Sequence, residues 1–202
     1  MRQEPSWPAA ALLALPLAVV LAASPAARAG SLAGTVKCLG AKNSADAVVY
    51  VDSIPGKTFA PPKEHARIDQ KNMAFIPHVL PVLVGTTVDF VNSDPFLHNV
   101  FSPDKCAEKF NLGSWPQGQT RSYTFKKPCA ATLLCNVHPE MEAFAVAVPT
   151  PYFAVTDAKG AYSIPNIPDG TYTIKVWHPK LKGTTQQVVV TAATAMNFEL
   201  KK

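Results

Sequence analysis

From residue 30 onward apolar residues recur at alternate positions in short runs, and clusters of Gly, Pro, Asn and Asp separate the runs. That period buries one face of an extended chain and wets the other, so each run predicts a β-strand. Runs at 32–39 and 47–51 flank a turn-forming stretch at 40–46. A Pro-rich connection at 55–62 leads into strand pattern over 67–92. Within it, Gly85-Thr86-Thr87 joins Val82-Leu83-Val84 to residues 88–92 and reads as the turn of a hairpin. Further strands are predicted at 99–102, 119–125, 131–134 and 143–148, with one helical turn at 104–109.

The texture changes after residue 151. Turns at 155–160 and 167–170 alternate with strands at 161–164, 171–177, 186–191 and 196–200. This stretch reads as a compact β module that lacks its own first strands. No sustained helical period occurs between residues 30 and 202, so the fold class is all-β. A chain of 202 residues with 48% hydrophobic content has room for one ordinary domain and a small second one. Its 19 prolines and low charged fraction of 16% suit strands and loops.

The first residues follow a different logic. Arg2 precedes an apolar stretch from about Ala9 to Ala23, and Ala27-Arg28-Ala29 stands before Gly30. This is the pattern of a signal peptide over residues 1–29, cut after Ala29, and it predicts a periplasmic or secreted protein. Pro16 breaks the apolar stretch, which is shorter than the roughly 20 residues of a membrane span, so no span is expected after cleavage. Removing Arg2, Arg28 and Glu4 leaves one positive charge fewer than the +5 of the full chain. No Lys or Arg run interleaves with aromatics, which argues against nucleic-acid binding.

The chemistry concentrates in Cys135, His138 and Met141, spaced C-x-x-H-x-x-M, with His98 some forty residues upstream. A loop leaving one strand at Cys135 and entering the next near Ala143 folds three side chains toward one point, and His98 completes the set from a neighbouring strand end. Singly, a Cys or Met is commonly core packing and a His before Pro a loop residue. Together, a thiolate, two imidazoles and a thioether are the donors that copper takes in electron-transfer sites. A structural zinc site more often uses paired Cys and no Met. A Cys nucleophile activated by His138 is the other alternative, and no orienting acid or oxyanion donor is identifiable beside the pair.

These residues carry a resemblance. The stretch 73–92 is similar to the strand-turn-strand of plastocyanin, His98-Asn99-Val100 resembles the His-Asn-Val of the small blue-copper proteins, and the two-and-two ligand spacing resembles that of amicyanin. Residues 65–149 therefore resemble a cupredoxin. The resemblance implies a Greek-key β-sandwich holding one type 1 copper per chain. Its metal ligands would be His98, Cys135, His138 and Met141, with Asn99 tying the two ligand loops and His138 as the partly exposed edge. Pro95, Phe96, Leu97 and Pro139 would form an apolar collar or loop cap around it. His78 is not a ligand in the resemblance and His178 ends a strand; His65 has no evident partner.

Cys38, Cys106 and Cys129 remain. If the strand from His98 runs away from the copper, Cys106 and Cys129 meet at its far end, so a Cys106–Cys129 disulfide is favoured and Cys38 is left as a buried thiol. Residues 156–164 and 168–176 resemble a carboxypeptidase-regulatory, or transthyretin-like, β-sandwich. Such modules open with Gly-x-Val and an Ala-x-Val-like run, which Gly34-Thr35-Val36 and residues 47–51 supply. The expected organisation is a cupredoxin domain, 63–149, inserted into a split sandwich, 30–62 and 150–202. The simpler arrangement gives the first strands to the cupredoxin. The expected function is single-electron shuttling, without substrate turnover, to a redox protein such as cytochrome c or a periplasmic dehydrogenase. The alternatives are a copper-carrying or adhesion module with a structural metal, and a copper enzyme using an acid such as Glu140.

Overall fold

The computed structural model describes Met1 and residues 29–202; the signal peptide read over residues 1–29 lies, but for its two end residues, outside them. Two strands open the described chain, β1 (Ala29–Cys38) and β2 (Val48–Val51). Nine follow: β3 (Ala66–Lys71), β4 (Ala74–Ile76), β5 (Val79–Leu83), β6 (Thr87–Asn92), β7 (His98–Phe101), β8 (Asn111–Trp115), β9 (Thr120–Thr124), β10 (Cys129–Leu134) and β11 (Glu142–Val148). Six close it: β12 (Phe153–Val155), β13 (Ala161–Pro168), β14 (Gly170–Trp177), β15 (Thr184–Val190), β16 (Ala193–Ala195) and β17 (Phe198–Leu200). A 3-10 turn at Lys105–Ala107 occupies the predicted helical position. The fold is all-β.

Two sheets, ordered β5-β11-β10-β7-β8 and β4-β3-β6-β9, enclose one core. Ile68, Phe90, Val100, Trp115, Leu133 and Met141 lie almost wholly buried inside it. The alternating burial of β6 and β10 is the two-residue period of the sequence turned into layers. β5 and β11 run parallel, as do β3 and β6, which gives this sandwich its Greek-key character.

The hairpin expected at 82–92 does not form. β5 pairs with β11 while β6 pairs with β3 and β9, so Gly85-Thr86 carries the chain from one sheet to the other. Both flanking strands turn an apolar face to the shared core, and only opposite layers let them do so. Gly85 sits at φ 91° in this crossing. The edge position of β5 tolerates Pro81, which has no N–H to give a further neighbour.

A second pair of sheets is built from both ends of the described chain. β1 lies between β13 and β16 and also pairs with β17, and β2 lies between β12 and β14. Their core holds Leu32, Val36, Val49, Ile164, Ile174 and Phe198. Between the two sandwiches Val48, Val79, Phe144, Val146 and Val148 form a separate apolar cluster with Tyr50, Phe153 and Trp177 against it.

Candidate metal centre

β7 begins at His98 and β10 ends at Leu134, and the two strands pair only at Leu134–Phe101, so their ends bring His98 beside Cys135. After Cys135 the chain must reverse into β11. Met141 N–H donates to the His138 carbonyl at 3.0 Å, which closes that reversal and turns the loop back on itself. Cys135, His98 and Met141 are buried, and His138 is half-buried.

The donor atoms of His98, Cys135 and His138 all lie within 4.8 Å of one another. His98 Nδ1 is 3.1 Å from His138 Nδ1 and 4.0 Å from Cys135 Sγ. Both separations are below twice the bond of about 2.0–2.3 Å that imidazole nitrogen and thiolate sulfur make to a first-row ion. The set is therefore spaced to share one ion, and its mixture of soft sulfur and imidazole suits copper. Met141 shares the buried cluster of Cys135.

The surroundings are built to hold these donors. Asn99 N–H points at Cys135 Sγ at 3.4 Å, and Asn99 Oδ1 accepts from Asn136 N–H at 3.3 Å. The Asn99 amide also donates to Asn111 Oδ1 and the Gly113 carbonyl, so one side chain ties both loops to β8. Phe96 stands against both imidazoles, with ring centroids 5.2 Å from His98 and 5.3 Å from His138. Phe96, Leu97 and Val137 are exposed around the His138 edge.

Sequence reasoning passed over Asp94. Its buried carboxylate lies 2.8 Å from His98 Nε2 and accepts backbone N–H groups from Asn72 and Met73 at 2.7 and 2.9 Å. Burial pushes the Asp94 carboxyl up, but these N–H donors and the His98 imidazole hold it below the ordinary carboxylate range. The available signal was an acid four residues before His98 in one Pro-containing loop.

The other histidines stand apart from this cluster. His65 pairs with Asp89 at 2.8 Å on the surface. His78 pairs with Asp46 at 2.8 Å and edges onto Phe144, so its role is at the seam of the sandwiches. His178 directly follows β14 and accepts the Lys180 N–H through Nδ1. Cys106 and Cys129 are bonded with Cα atoms 5.4 Å apart. Cys38 is a buried free thiol, and burial raises its pKa. A groove of about 480 Å³ lined by Pro62, His65, Pro81, Leu83 and Phe153 shares no residue with the donor cluster.

Residues 63–148 match the model of copper binding proteins, plastocyanin/azurin family, and residues 141–201 match the carboxypeptidase regulatory-like domain. Among solved structures, a purple cupredoxin from Nitrosopumilus maritimus is 24% identical over 41% of this chain and 98% of its own, with a TM-score of 0.37. A reduced amicyanin variant is 23% identical over 49% of this chain and 97% of its own, with a TM-score of 0.40. A copper-containing nitrite reductase from Thermus scotoductus is 25% identical over 50% of this chain, with a TM-score of 0.41, and the match spans 25% of the reductase. No curated protein matches the chain.

Proposed function

The chain carries a copper-binding domain of the plastocyanin/azurin family and a carboxypeptidase regulatory-like domain, and we propose that it is a type 1 copper electron-transfer protein. The observation behind this reading is the convergence of His98 Nδ1, His138 Nδ1 and Cys135 Sγ within 4.8 Å. His98, Cys135, His138 and Met141 are the proposed ligands. Copper, when bound, supplies a one-electron couple.

The rest is the work of this chain. Asn99 N–H stabilises the thiolate of Cys135, and the tie from Asn99 to Asn136 resists a change of geometry between oxidation states. Buried His98 and half-buried His138 divide the roles of anchor and exit, so electrons pass through the His138 edge. Exposed Pro95, Phe96, Leu97 and Pro139 give a small apolar rim suited to a transient redox partner, such as cytochrome c or a periplasmic dehydrogenase. Four protein donors leave no position for substrate, so we assign no turnover. The signal-peptide pattern of residues 1–29 supports periplasmic or secreted placement.

We also propose that the copper domain, 63–149, is inserted into a split sandwich of residues 30–62 and 150–202. Among the described residues β1 and β2 form ladders with β12, β13, β14, β16 and β17 and with none of β3 to β11, which supports this division.

Visible spectroscopy of the Cu(II)-loaded protein tests the function. An intense band toward the red end that bleaches on one-electron reduction, and that Cys135→Ser abolishes, is expected. A colourless, redox-silent copper complex would instead favour the copper-carrying role.

A further inference from the structure

Asp94 connects two features of the fold. The first is the β3–β4 hairpin, whose two-residue loop Asn72-Met73 lies between the paired residues Lys71 and Ala74. Both loop residues have φ 56°, the left-handed region that such turns require and that Gly normally supplies at the second position. Met73 stands there instead, 47% exposed, and the carboxylate of Asp94 takes the N–H of both residues. The second feature is His98, wholly buried, whose Nε2 lies 2.8 Å from the same carboxylate.

The carboxylate is itself fixed. Asp94 N–H donates to Asn92 Oδ1, and the Asn92 amide donates to the carbonyls of Phe96 and Trp115. A buried carboxylate that already accepts two backbone N–H groups is an acceptor for its third neighbour as well, which places the His98 proton on Nε2. Its Nδ1 lone pair is then directed to the point where His138 Nδ1 and Cys135 Sγ converge.

We propose that Asp94 is a positioning residue for the copper ligand His98, and that its buried negative charge favours the oxidised over the reduced centre. This rests on the copper reading above. With the Cys135 thiolate and the Asp94 carboxylate, a Cu(II) centre is neutral, and one added electron leaves a net negative charge in a buried site. Burying uncompensated charge is unfavourable, so the carboxylate resists reduction. With Asn at position 94 the oxidised centre carries the net charge and the reduced one is neutral, which reverses the preference. Asn also brings an amide N–H₂ to compete with the Nε2–H for acceptors.

The test compares Asp94→Asn with wild type by the visible Cu(II) spectrum and by redox titration. With the red band retained, the ratio of Cu(II) to Cu(I) affinity is expected to fall at least about tenfold in D94N, a rise of about 59 mV for a one-electron couple. Met73→Gly, which relieves the turn and leaves the carboxylate, is expected to leave the potential where it was. An unchanged D94N potential beside an intact spectrum would overturn the proposal, as would an M73G shift as large as that of D94N. A second measurement needs neither variant nor metal. Long-range proton–nitrogen NMR of the metal-free wild-type protein at neutral pH should show His98 protonated on Nε2 and bare on Nδ1, and the opposite tautomer would refute the proposal. If no red band forms in wild type, the electron-transfer reading fails, while the tautomer still reports on Asp94.

Discussion

Gly34 has no room for a side chain. A Cβ there would run into the backbone carbonyl of Met196, whose own N–H donates to Ala33 at 2.9 Å and whose oxygen takes the Tyr162 hydroxyl. Ordinary backbone dihedrals do not explain this glycine; the close crossing of β1 by the chain after β16 does. Gly34→Ala is therefore expected to lower stability by about 1–3 kcal/mol, the range for forced overpacking, as measured by equilibrium urea unfolding. An unshifted unfolding midpoint would show that the crossing yields easily. Asn99 shows the complementary case, a polar side chain whose tie to the loop after Cys135 the His-Asn-Val resemblance implied, while its bonds to Asn111 and Gly113 on β8 had no local signal.

Elements were legible where burial alternates and obscure where it does not. β6 and β10 repeat buried and half-buried positions in step with their sequence, and both stand near their predicted places. β8, Asn111-Leu112-Gly113-Ser114-Trp115, is mostly exposed at a sheet edge, so its residues carry no alternating signal and it was not predicted. The Cys106–Cys129 bond closes a sequence separation of 23 residues and fastens the 3-10 turn to the start of β10. Asp104 adds a hydrogen bond to Thr132 N–H in the same place. Replacing both cysteines by Ala is expected to cost about 2–4 kcal/mol in urea unfolding, through the looser unfolded chain. The red copper band should survive that replacement, because Cys135 takes no part in the bond.

At the scale of the whole molecule the two sandwiches meet along an apolar seam that has titratable groups at its edge. Trp177 packs on Phe144, and next to it His178 is buried. Burial lowers the pKa of His178, against the pull of Asp46 and the Ala45 carbonyl, while Lys180 and His78 lower it further. In the unfolded chain the imidazole titrates at its ordinary value near 6.5. Below that value the unfolded state takes up a proton that the native state refuses, so stability is full above it and declines as the pH falls, until the native imidazole is also protonated. Urea midpoints measured from neutral to mildly acidic pH should show this decline, and His178→Gln should flatten it. An equal decline in the variant would show that His178 is not its source.

The sequence alone determined the all-β class of fold and pointed to His98, Cys135 and His138 as a cluster, because strand alternation and a C-x-x-H-x-x-M spacing are local patterns that chemistry reads directly. The roles of His65 and His78 did not follow, since their carboxylate partners Asp89 and Asp46 lie 24 and 32 residues away in the chain. Nor did the layer change at Gly85-Thr86, where a hairpin and a crossing present the same run of residues. Only the tertiary structure decided which strand each face meets, and that placement put the buried Asp94 behind His98. Strand periodicity is a property of neighbours in sequence, whereas the pairing of sheets and charges depends on neighbours in space.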